Sequence, residues 1–110
     1  MATLELDARR PHAPDLAALS ETEADAEWDA VKRLLPVGAV VPATVRAVRG
    51  PLTFLDLGSA FDGFLDPLER PADLTLSAGD PLWVRVIQHR DSDDPADRQV
   101  RVTVRDLDAT

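Results

Sequence analysis

At Pro36 the apolar rhythm of this chain changes from that of a helix to that of a strand, and it does not change back. Before it, in "SETEADAEWDAVKRLLP", Ala24, Trp28, Val31 and Leu35 recur at the spacing of one helical stripe. After it, apolar residues alternate through "AVVPATVRAV", "LTFLDL", "FDGFLD", "PLWVRVIQH" and "RQVRVTVRDL". A short helix followed by short strands with turn residues between them predicts a small β-barrel carrying one N-terminal helix.

The helix has its own punctuation. Ser20 followed by Glu23 is a capping box, in which hydroxyl and carboxylate each accept from the other residue's amide. Glu21, Glu23 and Asp25 sit at the positive end of the helix dipole, and Lys32 and Arg33 near the negative end. The narrow stripe calls for a docking partner, with Trp28 as the anchor. Trp83 is the expected receiver, because it is out of phase with the inward Val84 and Val86. Trp28 has a second reading, as a hot spot for a protein partner.

Period two assigns the strand faces. Strands are expected over 39–48, 52–57, 61–66, 81–89 and 98–107. Val41, Ala43 and Val45 face one way on the first strand, and Thr44 and Arg46 the other. On the second, Thr53, Leu55 and Leu57 fit the interior, which leaves Leu52, Phe54 and Asp56 outside. Val100, Val102 and Val104 share the inner face of the last strand, so Arg101 and Arg105 point outward there, as Arg85 does from Val84 and Val86 on the fourth. Gly38 and Gly79 precede strands where a turn needs positive φ, and Gly63 permits a sharp entry into the third strand. The organisation that follows is an arm over 1–19, a helix over 20–36, a barrel domain over 37–107 and a tail over 108–110.

Composition narrows the function. The chain has 110 residues and no cysteine, which excludes disulfides, thiolate metal sites and cysteine nucleophiles and fits a bacterial-type cytoplasm. No apolar run is long enough to span a membrane, and the acids and arginines of the N-terminus do not make a signal peptide. The net charge is −8. Residues 1–36 carry eight acids against four bases, and residues 37–110 twelve against eight, so the acidity is spread over the whole chain. A polyphosphate partner therefore requires bases gathered on one face. His12 and His89 lack ligand-spaced companions, no serine stands in a nucleophile elbow, and no glycine-rich phosphate loop is present. No enzymatic activity, cofactor or metal is expected. "DSDDPAD" (91–97) lacks the glycine and the oxygen spacing of a calcium loop, and is expected to be an acidic hairpin tip of little weight in the fold.

The order of these features resembles the S1-type RNA-binding domain, a five-stranded OB-fold module. The resemblance runs over residues 37–107. It is carried by Val37-Gly38 with Val40 and Val45, by Thr53-Phe54-Leu55-Asp56-Leu57-Gly58, and by Gly63-Phe64-Leu65-Asp66. Ala78-Gly79-Asp80 leading Val84-Arg85-Val86, and Gln99-Val100-Arg101-Val102-Thr103, complete it. It implies an all-β, five-stranded antiparallel OB-fold barrel with the helix packed outside. It also implies single-stranded RNA laid across the second and third strands, a base stacking on Phe54. Phe64 is the second aromatic candidate, and Arg46, Arg49, Arg85 and Arg101 are the candidate phosphate contacts. The chain departs from the family pattern at several binding positions. Pro51 stands where the first aromatic is usual, Leu52 where a glycine follows it, Asp66 where a histidine is usual, Leu68 in place of the following serine and Arg90 in place of an aspartate. Those departures leave a second reading, a protein-interaction module on the same fold, using the Trp28 helix or the Phe-rich strands.

Overall fold

The computed structural model describes residues 15–105, so expectations placed on His12, on the rest of the arm before residue 15 and on residues 106–110 lie outside the described residues. The helix, α1, spans Glu21–Leu34. Its capping box forms: Ser20 Oγ accepts from the Glu23 amide at 3.1 Å, and Glu23 Oε1 accepts from the Ser20 amide at 2.9 Å. The predicted stripe of Ala24, Trp28, Val31 and Leu35 is buried throughout. Ahead of the helix, Leu16–Ala18 make a short 3-10 turn, and Leu16 and Leu19 pack against the core.

Five strands close into a barrel in the order β1-β2-β3-β5-β4, with β1 at Val40–Arg49, β2 at Leu52–Asp56, β3 at Gly63–Leu65, β4 at Pro81–Arg90 and β5 at Gln99–Thr103. The barrel is mixed, not antiparallel as expected: β3 and β5 run parallel, with Phe64 beside Arg101. The reason is topological. Strand directions can alternate all the way around a closed ring only when the number of strands is even, so five strands must leave one parallel pair. The long β1 serves two neighbours, pairing with β4 through Val40–Thr44 and with β2 through Thr44–Arg49. A register shift between Val45 and Ala47 bends it where it passes from one to the other.

The alternation expected from sequence sorts the interior correctly. Val41, Ala43, Val45, Thr53, Leu55, Leu57, Val84, Val86, Val100, Val102 and Val104 are all buried. The third strand is shorter than expected, and Phe61 lies ahead of it, only 1 % exposed. A Cβ on Gly63 would come within 2.8 Å of Leu57 Cδ1 and 3.2 Å of Leu55 Cβ. Gly63 is there because β3 runs close against two core leucines, not because its backbone needs positive φ. Gly79 does adopt the left-handed conformation, φ +94°, in the turn that leads into β4.

The helix does not lie on the barrel's outer wall. Its stripe belongs to the same apolar cluster as the barrel interior. Trp28 is 3 % exposed and meets Phe61 with ring centroids 4.9 Å apart. Trp83, the expected receiver, stays 41 % exposed. The helix thus covers the barrel core where Phe61 plugs it, because that core offers a large apolar surface that the five strands alone leave uncovered. The acidic segment is correspondingly more than a hairpin tip. Asp91 Oδ1 accepts from Trp28 Nε1 at 2.6 Å and from Lys32 Nζ at 3.1 Å. Arg98 Nη2 pairs with Asp25 at 2.8 Å, and Pro95–Asp97 form a 3-10 turn against the helix. His89 Nε2 donates to the Leu35 carbonyl at 2.7 Å, since a carbonyl can only accept.

Candidate functional site

The outward face of β2 and β3 is built by register. Ala47, Phe54, Phe64 and Arg101 are successive cross-strand partners over β1, β2, β3 and β5, so they form one row across the sheet. The Phe54 and Phe64 rings sit 5.7 Å apart and tilted by 56°, a favourable arrangement for two ring quadrupoles. The Arg101 guanidinium lies 5.0 Å over the Phe64 ring. Phe54 is half-buried, whereas Phe64 is only 9 % exposed. Phe64 therefore supports the platform from below, and Phe54 is the ring that offers a face.

Charge around the row is arranged in pairs. Arg101 Nη2 lies 3.2 Å from Asp66 Oδ2, and Arg46 Nη1 lies 2.9 Å from Asp62 Oδ1. Burial pushes the Asp62 carboxyl above its ordinary value; the Arg46 guanidinium pulls it back, and the neighbouring Asp56 charge adds to the rise. Arg49 is exposed at the end of β1. It shares with Arg46, Ala47, Phe54 and Asp62 the lining of a hollow of about 180 Å³. A second hollow, about 140 Å³, shares Arg46, Phe54 and Asp62 with the first and has Phe61, Arg98 and Gln99 in its lining.

Five of the six expected site residues, Phe54, Phe64, Arg46, Arg49 and Arg101, are on or beside this row. Arg85 is not. Its Nη1 donates to the Gly38 carbonyl at 3.0 Å, at the opposite end of β1 from the aromatic pair. Alternation could show that Arg85 points outward, but the direction in which a long side chain then folds depends on what lies beside it. Trp28, read as a possible hot spot, is buried and hydrogen-bonded, which removes the helix stripe as a docking surface. The sequence reading missed Asp62, Arg98 and Gln99. The one available signal was a carboxylate immediately before Gly63, at the entry to the third strand. Nothing local marked the other two.

No family model matches the chain, and no curated protein does. Solved structures do. GSP13 from Bacillus subtilis is 21% identical, with a TM-score of 0.54 over 67% of this chain and 58% of its own. The uncharacterized protein MJ1198 from Methanocaldococcus jannaschii is 22% identical, with a TM-score of 0.51 over 61% of this chain and 88% of its own. The fold is an S1-like OB barrel. A multidomain protein with nucleic acid binding domains from Streptococcus pneumoniae TIGR4 also matches, at 28% identity and a TM-score of 0.49 over 69% of this chain. The chain spans only 27% of that protein and 58% of GSP13. In this S1-like barrel the outward rows of β2 and β3 are the surface where the sequence resemblance put the ligand. Asp66, at the position of the family histidine, holds Arg101 and caps the 3-10 turn Pro67–Glu69, accepting from the Leu68 amide at 2.9 Å. Among the described residues no helix is long and apolar enough to cross a membrane.

Proposed function

We propose that this chain is a non-catalytic S1-like module that binds single-stranded RNA across the outer face of β2 and β3. The observation that carries the reading is the half-exposed Phe54 ring, backed by Phe64 and flanked by Arg46, Arg49 and Arg101. A base stacks on Phe54 and the arginines take the adjoining phosphates, the combination that single-strand binders use. The carboxylates weaken this design without abolishing it. Arg46 and Arg101 must leave Asp62 and Asp66 to meet a phosphate, while Arg49 forms no ion pair among the described residues. Binding is accordingly modest and strongly salt-dependent.

The test is a fluorescence-polarisation titration with mixed-sequence single-stranded RNA at low and at physiological salt. Phe54→Ala should weaken binding by about 1–3 kcal/mol, the worth of one stacked base, with the melting temperature nearly unchanged. An unaltered Kd in that variant rejects the reading.

One observation favours a protein-interaction module as the second reading: Trp83, Val40 and Ile87 are exposed on the β1–β4 wall, away from Phe54. In that case Trp83→Ala abolishes capture of a protein partner, and Phe54→Ala leaves the capture intact.

A further inference from the structure

Among the described residues, four buried side-chain polar atoms have no hydrogen-bond partner: Thr53 Oγ1, Asp62 Oδ1, Arg98 Nη1 and Gln99 Oε1. Buried polar atoms are seldom left without one, so each calls for a reason. Thr53 faces the barrel interior. The other three belong to residues that line one place, the hollow of about 140 Å³ beside Phe54. An engineered cavity of about 150 Å³ takes up benzene, so the hollow is on the scale of one planar ring.

The three residues are brought together by the fold. The Val100 amide donates to the Asp62 carbonyl at 3.2 Å, which sets Asp62 next to the start of β5 and so next to Gln99. Arg98 is pinned: Nε donates to the Ser92 carbonyl at 2.9 Å, and Nη2 meets Asp25 at 2.8 Å. Its side chain is 10% exposed, and the remaining nitrogen, Nη1, is the one left without a partner. Asp62 is held differently. Its contact with Arg46 is close but not aligned as a hydrogen bond, and the Arg46 side chain is 53% exposed. Both residues line both hollows, and the exposed Arg46 side chain is the part of that shared wall least held by the fold.

We infer that this hollow receives the Watson–Crick edge of a guanine base and makes the barrel selective for it. The inference rests on the single-strand-binding reading above. Its chemistry comes from these three residues, which supply a carboxylate acceptor that Arg46 holds in the free protein, an amide acceptor and a fixed guanidinium donor. Guanine alone among the four bases has two adjacent donors on that edge, N1–H and the N2 amino group, beside one acceptor, O6. Asp62 accepts from the first two, Gln99 from the remaining N2 hydrogen, and Arg98 Nη1 donates to O6. Adenine and cytosine bring a ring-nitrogen lone pair against the Asp62 carboxylate, and uracil brings only one donor flanked by two acceptors. On entry the base replaces Arg46 at Asp62, and the freed guanidinium passes to a neighbouring phosphate. A pair that only neutralises the site in the free protein becomes two separate contacts in the complex.

The experiment uses labelled oligouridine carrying a single central guanine, adenine, cytosine or inosine, titrated by fluorescence polarisation against the full chain at low salt. The guanine oligomer should bind about tenfold more tightly than the adenine, cytosine and all-uridine oligomers, the discrimination of a good bidentate pair. Inosine, which lacks the N2 amino group, should fall between. Asp62→Asn should erase the preference while raising the affinity for all-uridine oligomer, because Arg46 is freed for a phosphate, and Gln99→Ala should reduce it without disturbing the ion pair. If Asp62→Asn lowers the melting temperature, Gln99→Ala decides. Equal affinity for all oligomers by a protein that binds them overturns the inference and leaves the function standing. A preference that survives both substitutions, or one for adenine or cytosine, overturns it as well. No binding to any oligomer rejects the proposed function and the inference together.

Discussion

Trp28 shows how one side chain can tie a helix to a barrel. Its ring fills the space over Phe61 while its indole N–H, which cannot be left bare when buried, reaches Asp91. Trp28→Ala should cost about 3–5 kcal/mol in chemical denaturation, because the ring is buried on all sides and leaves a cavity. Asp91 adds a pH dependence. The hydrogen bonds from Trp28 and then Lys32 lower its carboxyl below the ordinary value of 3.8. The folded state therefore binds that proton less readily than the unfolded chain does. The resulting stability is present in full above the ordinary value and fades as pH falls through the lowered one. The difference in stability between the wild type and Asp91→Asn should shrink on going from pH 7 into that acid range. A difference that stays constant would remove Asp91 from the acid response. Gly63 makes a third case. Gly63→Ala forces a methyl against Leu57, which is fully buried and has nowhere to retreat. The expected loss is about 1–3 kcal/mol, the usual cost of overpacking.

Among the elements, the β4–β5 connection has the largest distance between expectation and outcome. Its aspartates look like a solvated tip, and Asp93 and Asp94 are indeed exposed. Yet the segment carries Asp91 to the indole and brings Pro95 and Ala96 to the start of α1, where they line a groove with Leu16, Leu19 and Ala24. Loop length alone changes stability slowly. Deleting Ser92–Ala96 should nevertheless lower the melting temperature by several degrees, because it disturbs Arg98 and its contacts to Ser92 and Asp25. A midpoint equal to that of the wild type would show that the docking contributes nothing. The helix itself depends on its first turn. Ser20→Ala removes the acceptor for the Glu23 amide and should cost about 1 kcal/mol, read in the same denaturation experiment.

For the whole molecule the deciding quantity is how the net charge of −8 is laid out. The row around Phe54 keeps its arginines but surrounds them with Asp56, Asp62 and Asp66, so local attraction for a polyphosphate is held down. Asp66→Asn frees Arg101 while its amide oxygen can still cap the following turn. RNA affinity at low salt should rise, and the plot of log K against log salt should steepen by roughly 0.7 if one more phosphate is neutralised. An unchanged slope would mean that Arg101 serves Phe64 and not the nucleic acid.

Local spacing sufficed for the helix stripe, the capping box, the inward sets on the first, second, fourth and fifth strands and the outward Phe54, because each follows from residues within a few positions of one another. The resemblance in residues 37–107 added the OB type of the barrel. What local pattern could not supply were relations between segments far apart in sequence. The parallel β3–β5 pair follows from closing a ring of five strands, which no single strand records. The choice of Phe61 over Trp83 as the partner of Trp28 depended on which part of the core the strands left uncovered. The tether of Arg85 to Gly38 and the gathering of Asp62, Arg98 and Gln99 in one hollow are set by the positions of neighbouring strands. Side-chain direction along a strand is a local property of the pleat; what a side chain meets beyond it is settled only when the barrel closes.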